Sequence, residues 1–185
     1  SQNIPIASLG VAMVSYEKEL PYVIMDYDES APSVMLIESI IKEIGFSNVM
    51  YLQGGFAQWK KDFYSTVSEG DPTSFTDQSK VTYISSEELK NLIEQSSDLL
   101  IIDVRKPNQF QQGHIKGAIN VFLDELEERR NEITLGKKIV LYDNDGLWAF
   151  KASVRLFDMS FFDTLALSDG LDKWKEKGYE IRTTD

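Results

Sequence analysis

The chain has 185 residues and a formal net charge of −11; 42% of its residues are hydrophobic and 26% are charged, a composition typical of soluble globular proteins. The acidic excess argues against partners that need a basic patch, so we expect neither a nucleic-acid interface nor binding to an anionic membrane surface. Because there is no cysteine and only one histidine, the sequence excludes disulfides, thiolate catalysis and Cys- or His-rich metal sites, and we expect no metal and no cofactor.

The sequence carries no sign of a membrane span or of an export signal. No apolar run approaches the ~20 residues that a membrane-spanning helix needs. The first residues, Ser1-Gln2-Asn3-Ile4, lack the basic and apolar regions of a secretory signal, and they lack an initiator Met. We therefore expect a cytoplasmic protein whose native N-terminus is not seen here.

The first elements along the chain form the order strand, helix, strand, helix. An apolar run predicts a strand over residues 23–27, and apolar residues at helical spacing predict a helix over 32–44. A second strand is predicted over 49–52, and the pair Gly54-Gly55 turns the chain into a closing helix that begins at residue 56. The next stretch, 65–79, is rich in Ser, Thr, Asp and Gly, which predicts a linker.

Two strands and a capped helix are predicted next. Residues 81–84 form the first strand, and Ser85 or Ser86 caps a helix that runs through Ile93, with Glu88 placed to complete a capping box with Ser85. Residues 99–104 are strongly apolar and predict a central strand, which is followed by the segment Gly113-His-Ile-Lys-Gly-Ala-Ile-Asn-Val.

The last elements repeat the order of the first. An apolar run over 137–142 predicts a buried parallel strand that ends at a polar turn, Asp143-Asn144-Asp145-Gly146. A helix is predicted over 147–159 and a strand over 164–167, and Asp169-Gly170 then turns the chain into a closing helix over 171–174.

This repetition is visible residue by residue. A shift of 115 positions superimposes Asp28 on Asp143 and Trp59 on Trp174 without gaps, and the other identities cluster at strands, turns and anchors. The two tryptophans are predicted core anchors. The second copy has a front end, from the strand at 81–84 to the segment that begins at Gly113, that the first copy lacks. The first copy begins at Asn3-Ile4-Pro5-Ile6, which the same shift places on Ala118-Ile119-Asn120-Val121.

Several of these segments together resemble a rhodanese domain. Its front half resembles Leu100-Ile-Ile-Asp-Val-Arg105 followed by Phe110-Gln-Gln-Gly-His-Ile-Lys-Gly-Ala-Ile-Asn120, and its back half resembles Tyr142-Asp143 and Leu167-Ser-Asp-Gly170 through Trp174. The resemblance implies an α/β fold with three α/β/α layers around a five-stranded parallel sheet. It implies a back half of a first domain over 1–64, a linker over 65–79 and a complete domain over 80–185.

The resemblance also indicates a candidate site. Active members of the family carry a Cys at the C-terminal end of the fourth strand, in a loop whose backbone N–H groups hold a sulfur anion. Carried over, the nucleophile positions are Asp28 and Asp143, and the vestigial loop is Asp143, Asn144, Asp145, Gly146, Leu147 and Trp148, with Trp148 where an anion-binding Arg is usual. We expect Asp143 to accept loop N–H bonds, which favour the ionised form, and Trp148 to fill the substrate space. A carboxylate carries no transferable sulfur, so no catalytic residue is expected.

Other residues near this loop have two interpretations each. Asp103 and Arg105 either contact a ligand or tie the strand end to its neighbours, and the second role is the commoner one. His114 is either a general base or, more commonly in a tight turn, a structural hydrogen-bonder.

The residues and the resemblance together favour a non-catalytic module with a structural, regulatory or docking role. By analogy with the family it belongs to a larger protein linked to sulfur or persulfide metabolism, after a metallo-β-lactamase-fold hydrolase domain in some arrangements. One alternative is a Mg²⁺-dependent phosphatase with an Asp nucleophile, since Asp26-Tyr-Asp28 and Asp143-Asn-Asp145 resemble an Asp-x-Asp motif; the shift of 115 puts those pairs out of register. The other is a sulfurtransferase that takes its thiol from a partner chain.

The incomplete first copy is also expected to need a partner. Family sheets run in the order 3-2-4-5-1, so residues 3–64 lack the strand between the third and fourth and expose an edge and an apolar face. We expect the missing upstream part of a parent chain, or a second copy of this chain, to cover it.

Overall fold

The computed structural model describes residues 2–27, 31–62, 64–95, 98–134 and 136–183, with the side chains of residues 31 and 32 excepted. It divides into two compact units, Ser1–Thr66 and Val67–Asp185. Asp28, one of the two predicted nucleophile positions, lies outside the described residues.

The first unit is a two-stranded parallel sheet with helices. Its elements, in chain order, are a 3-10 helix at Ile6–Ser8, helix α1 (Leu9–Met13), strand β1 (Tyr22–Ile24), helix α2 (Ala31–Glu43), strand β2 (Val49–Tyr51) and helix α3 (Gly55–Lys61). Strands β1 and β2 pair in parallel with Ile24 opposite Tyr51. One face of this sheet packs on a core built from α1 and α2, whose buried members are Leu9, Met13, Ile37, Ile41 and Phe46.

The second unit is built from five α-helices and seven strands among its described residues, around a larger sheet. Its main elements are helix α4 (Phe75–Gln78), strand β3 (Tyr83–Ile84), helix α5 (Ser86–Gln95), strand β4 (Leu99–Asp103), helix α6 (Pro107–Gln112), strands β5 (His114–Ile115), β6 (Ile119–Asn120) and β7 (Lys138–Tyr142), helix α7 (Leu147–Asp158), strand β8 (Thr164–Leu167), helix α8 (Gly170–Glu176) and strand β9 (Ile181–Arg182). Shorter 3-10 helices lie at Leu123–Glu125 and Arg130–Glu132.

Five parallel strands form the main sheet in the order β3-β8-β7-β4-β6. The central strands β4 and β7 are apolar along both faces because helices cover both sides of a parallel sheet. One buried cluster lies under α7 and another under α5 and α8, where Leu89, Leu171 and Trp174 meet the sheet. The predicted α/β architecture with a five-stranded parallel sheet and flanking helices is confirmed. The small strands β5 and β9 pair separately, in antiparallel orientation.

Local sequence explains how the helices of this unit begin. Helix α5 has the predicted capping box, since the Ser85 amide donates to the Glu88 carboxylate at 2.9 Å and the Glu88 amide donates to the Ser85 hydroxyl at 3.3 Å. Helix α7 begins after Gly146, whose φ of +97° suits glycine.

The segment predicted as a linker is ordered from residue 67 onward and belongs to the second unit. The Ser68 amide donates to Asp158 at 2.8 Å, and the Ser68 hydroxyl donates to the buried Asp77 at 2.7 Å. Lys80 lies 3.1 Å from Asp77 and 2.9 Å from Asp158. A composition rich in Ser and Asp therefore supplies hydrogen-bonding groups that fasten the segment to α7, where composition alone predicted a free linker.

No helix in the described ranges is long and apolar enough to cross a membrane.

Candidate functional site

The side chain of Asp143 lies at the carboxyl end of β7, buried beneath the turn that leads into α7. One of its oxygens accepts from the Gly146 amide at 2.8 Å and from the Ala149 amide at 3.4 Å, and the other accepts from the Trp148 amide at 2.9 Å. The expected contact between this carboxylate and the loop N–H groups is confirmed. An anion bound by the first amides of a helix is stabilised by their partial positive charge, and here the protein's own carboxylate takes that position.

The same loop is fixed from its other side by the start of α8. The backbone carbonyls of Asp143 and Asn144 accept from the amides of Leu171 and Asp172 at 2.8 and 3.1 Å. Gly170 makes this approach possible, because a Cβ there would lie 2.1 Å from the Asn144 oxygen. The loop is therefore held by the N-terminal ends of two helices.

Burial determines the protonation of Asp143. Loss of solvent raises the pKa of its carboxyl, the amides of Trp148 and Gly146 lower it, and the neighbouring Asp145 raises it again, so that the pKa lies above its ordinary value. The amide hydrogen bonds favour the ionised form, as expected, but desolvation and the second acid outweigh them in the net direction of the shift.

Asp103 and Arg105, at the end of the neighbouring strand β4, form a buried ion pair. The guanidinium Nη2 lies 2.6 Å from Asp103 Oδ2 and donates to the Gly113 carbonyl at 2.8 Å, and Nη1 donates to the Asn144 side-chain oxygen at 3.1 Å. Burial disfavours the charged guanidinium, but the hydrogen bond and charge of Asp103 raise the Arg105 pKa above its ordinary value. The pair ties β4 to the loop, which matches the commoner of the two predicted roles.

His114 makes its contacts with Phe110, four residues earlier in the chain. Its Nδ1 lies 3.0 Å from the Phe110 carbonyl oxygen, and its ring stacks on the Phe110 ring with centroids 3.8 Å apart. Both contacts are with its own segment, as expected of a histidine that stabilises a turn.

Trp148 lines an open cleft beside Asp143. The cleft has a volume of about 230 Å³, and Arg105, Gln109 and Asp145 form the rest of its mouth. The indole is half-buried against Phe122, with ring centroids 5.8 Å apart. Trp148 was expected to fill the substrate space. This is corrected by the structure: packing against Phe122 makes the indole a wall and leaves the cleft open.

Three polar side chains that support the site were not singled out from sequence. The Asn120 amide donates to the carbonyls of Asp103 and Arg105 at 2.9 and 2.8 Å, and the buried Tyr142 hydroxyl accepts from the Ile115 amide at 3.1 Å. Gln109 lines the cleft. Their only signal in the sequence was a polar residue next to an apolar strand, which is too common to identify a site. Among the described residues, no three His, Asp or Glu side chains come together in a way that could hold a metal.

The first unit repeats the hydrogen-bond pattern of this loop, but at a different residue. The amides of Phe56 and Ala57 donate to the carbonyls of Asp26 and Tyr27 at 2.8 and 2.7 Å, just as those of Leu171 and Asp172 donate to Asp143 and Asn144. A Cβ on Gly55 would lie 2.9 Å from the Tyr27 carbonyl oxygen, just as a Cβ on Gly170 would lie 2.1 Å from the Asn144 carbonyl oxygen.

Strand register leads to the same assignment. Ile24 pairs with Tyr51 in the first unit, and Leu141 pairs with Ala166 in the second. The residue two positions after Ile24 is Asp26, and the residue two positions after Leu141 is Asp143. Asp26, and not Asp28, therefore occupies the position of Asp143. The ungapped shift of 115 failed because Asp26 and Gly55 are two residues further apart in the chain than Asp143 and Gly170.

The chain is similar to known proteins in both sequence and fold. A family model described as the rhodanese-like domain matches residues 85–177. The chain is similar to the uncharacterized protein YqhL of Bacillus subtilis, with 38% identity over 77 residues, 42% of this chain and 61% of that protein. It is also similar to a sulfurtransferase of Allochromatium vinosum, with 28% identity over 101 residues, 55% of this chain and 94% of that protein. The chain thus spans less than two thirds of YqhL.

Among solved structures, the thiosulfate sulfurtransferase of Pseudomonas aeruginosa superimposes with a TM-score of 0.52 and 19% identity. The match covers 100% of this chain and 37% of that protein. At this identity the likeness concerns the fold alone.

Proposed function

Because the chain belongs to the rhodanese-like domain family, we propose that it is a non-catalytic member of that family, a module with a structural, regulatory or docking role. Family relatives include a sulfurtransferase. The proposal is that the same fold serves here without sulfur transfer.

The observation that carries this proposal is the buried carboxylate of Asp143. In active relatives a cysteine at this position accepts a sulfane sulfur, and the loop amides hold the resulting persulfide anion. Here the amides of Gly146 and Trp148 are bonded to a carboxylate that has no sulfur to give or receive. The chain contains no cysteine anywhere that could replace it. Asp145, at the mouth of the cleft, adds a second negative charge that opposes entry of an anion such as thiosulfate.

We also propose that the two units are tandem copies, the first present as a back half. Internal contacts that match between the units support this. The Trp59 indole donates to the Ser65 carbonyl at 3.2 Å and packs on Tyr64, and the Trp174 indole donates to the Glu180 carbonyl at 3.0 Å and packs on Tyr179. Trp174 is buried, whereas Trp59 is only half-buried. A fold likeness that extends over the whole chain is consistent with two copies.

The setting of the module is part of the proposal. We place it in a larger cytoplasmic protein linked to sulfur or persulfide metabolism, where rhodanese-like domains accompany other catalytic domains, including metallo-β-lactamase-fold hydrolases. This rests on the family alone.

Two enzymatic alternatives make different predictions. The corrected register favours an Asp-dependent phosphatase in one respect, because Asp26 and Asp143 occupy equivalent positions and each is followed in the sequence, two residues later, by a second Asp. Against it, both oxygens of Asp143 accept amide N–H bonds, which leaves the carboxylate poorly placed to attack phosphorus. A sulfurtransferase that borrows a thiol would need a partner chain to reach the cleft.

Activity assays on the homogeneous chain test the proposal. We expect no turnover with thiosulfate and cyanide or with 3-mercaptopyruvate, and no Mg²⁺-dependent hydrolysis of phosphate esters. Sulfur transfer by the chain alone would contradict the non-catalytic assignment. Phosphate-ester hydrolysis that is lost in Asp143→Asn would support the phosphatase instead, and turnover only after a thiol-bearing protein is added would support the shared-site alternative.

A further inference from the structure

An apolar groove runs through the first unit, between the N-terminal segment and strand β1. Its volume is about 570 Å³, and its walls include Asn3, Ile4, Ile24 and Met25. A second cavity of about 380 Å³ adjoins it and shares these four residues. The groove follows the edge of β1.

Strand β1 uses only one of its two edges. The Tyr22 amide donates to the Asn48 carbonyl, and the Ile24 carbonyl accepts from the Leu52 amide. Backbone groups along a parallel strand point to alternate sides, so those of Val23 and Met25 face the groove. Among the described residues, β1 has β2 as its single neighbour in the sheet. An apolar edge of this kind can add another strand.

In the second unit, strand β4 occupies the position that corresponds to the groove. Strand β4 lies between β7 and β6 and pairs with both in parallel. At its end, the Val104 amide donates to the Tyr142 carbonyl at 3.0 Å, and Tyr142 is the equivalent of Met25 by the strand register. The 3-10 helix at Ile6–Ser8 is likewise the equivalent of that at Leu123–Glu125, since each follows a residue with almost the same dihedral angles.

That equivalence makes Asn3 the counterpart of Asn120. In the second unit, the Asn120 amide donates to the carbonyls of Asp103 and Arg105, which belong to the end of the inserted strand. In the first unit, Asn3 is exposed in the wall of the groove. It is thus positioned to recognise the backbone of a strand that enters there.

The outer face of β1 is also uncovered. Val23 and Met25 are 62% and 42% exposed, whereas their equivalents Val140 and Tyr142 are both 0% exposed. In the second unit, part of this cover comes from α5 and from the residues of β4 that pack against them. The strand and the helix that cover this face in the second unit, β4 and α5, have no counterpart among the described residues of the first unit.

Charge adds a further requirement on the occupant. The side chain of Asp26, at the end of β1, accepts from the Tyr27 amide at 2.7 Å and forms no ion pair with a described residue. In the second unit, the inserted strand ends in Asp103-Val104-Arg105 and delivers a guanidinium to the loop after β7. Arg105 and Asp143, the counterpart of Asp26, line the same cleft. A basic residue two positions after an incoming apolar strand would therefore lie on the same side of the first unit as Asp26, and opposite charges attract.

We propose that the groove binds a separate polypeptide segment as a parallel strand, an apolar stretch of about five residues followed by a basic residue two positions on. The N–H and C=O groups of Val23 and Met25 bond to the incoming backbone, Asn3 donates to its terminal carbonyls, and Asp26 pairs with its cation. The proposal therefore assigns a partner to the docking role proposed above, an extended peptide with an apolar stretch and a basic residue. It depends only on the first unit, so it stands or falls independently of sulfur transfer by the second.

The test uses the full chain and a fluorescent peptide with the sequence of residues 98–106, which is the strand that fills the equivalent position, carrying a charged solubilising tag. We expect saturable binding in fluorescence anisotropy. Val23→Pro removes an amide that faces the groove while leaving the bonds to β2 intact, and should weaken binding at least tenfold; Val23→Thr, which keeps that amide, is the matched control. Asn3→Ala changes an exposed side chain without threatening the fold and should weaken binding severalfold. A peptide with Glu in place of its Arg should also bind more weakly.

Three results would overturn the proposal. The first is no binding at millimolar peptide, or binding equal in all variants. The second is a dimer in sedimentation equilibrium that Val23→Pro dissociates, which assigns the groove to a second copy of this chain. The third is protection of the Val23 and Met25 amides from hydrogen exchange in the free monomer, which assigns it to the chain's own second unit.

Discussion

Replacing Asp143 with alanine removes the acceptor of three buried amides, and the structure allows the cost to be worked out. The bonds from Gly146 and Trp148 are short, at 2.8 and 2.9 Å, and that from Ala149 is long at 3.4 Å. Two short bonds to a charged group amount to a gross loss of roughly 3–6 kcal/mol. The substitution also removes a carboxylate whose burial is unfavourable, as its raised pKa indicates, and the open cleft lets water reach the amides.

We therefore expect Asp143→Ala to lower the free energy of unfolding by about 1–3 kcal/mol, which corresponds to a fall in Tm of roughly 3–12 °C for a unit of this size. Urea denaturation at pH 7, followed by tryptophan fluorescence, measures it. Asp163→Ala is the matched control, since its exposed carboxylate lies away from this loop, pairs with the exposed Lys138, and its loss should change stability by less than about 1 kcal/mol. If Asp143→Ala proved as stable as the parent chain, the amides would not depend on this carboxylate and the reasoning would be refuted.

Three further predictions follow from the same contacts. Because burial raises the pKa of Asp143 above its unfolded value, the stability that its protonated form contributes is lost as pH rises through the folded pKa. The stability of the parent chain relative to Asp143→Asn should therefore fall as pH rises above about 4, the ordinary pKa of an Asp carboxyl, and a rise would contradict the raised pKa. Gly170→Ala should destabilise the chain by at least about 2 kcal/mol more than Gly117→Ala. Both glycines have positive φ, but only a Cβ at position 170 would meet a backbone oxygen, that of Asn144. Equal effects of the two substitutions in thermal unfolding would show that this contact does not require glycine. Lys80→Ala should lower the free energy of unfolding by about 2–4 kcal/mol and expose residues 67–80 to protease, because it leaves Asp77 and Asp158 without their cation. Lys138→Ala, the control, breaks an exposed ion pair and should cost under about 1 kcal/mol. Equal losses in the two variants would argue against the buried network.

Strongly apolar strands with clear ends were predictable from the sequence. Strand β8 has the predicted bounds, 164–167, and β4 and β7 differ from prediction by a single residue at one end. Their apolar runs are continuous because both faces are buried. The position of Asp143 followed from this, since a polar turn after a buried parallel strand lies at the carboxyl edge of the sheet.

The first unit was harder to compare with the second from the sequence, because side-chain identities between them are sparse. An ungapped shift is the simplest comparison, and it placed Asp28 at the nucleophile position. The hydrogen bonds from Phe56 and Ala57 identify Asp26 instead. The lengths of the loop and of the helix are set by backbone geometry and not by side-chain pattern, so the two additional residues left no signal in the sequence.

The behaviour of Trp148 and the net pKa of Asp143 could not be predicted for a related reason. Each depends on a balance between tertiary contacts: Phe122 draws the indole to the side of the cleft, and burial outweighs the hydrogen bonds of the loop. Such balances are decided by distances and exposure, which a single sequence does not contain.

The central claim is that the carboxylate of Asp143 occupies the anion position that active relatives use for sulfur. Titration of thiosulfate into the isotopically labelled chain tests it most directly, with the amide resonances of Gly146 and Trp148 as reporters. The account predicts that these resonances stay unchanged up to millimolar thiosulfate, since their N–H groups are already bonded and Asp145 repels the anion. Saturable shifts of both amides would contradict it, because they would show that the loop binds the sulfur donor in spite of Asp143.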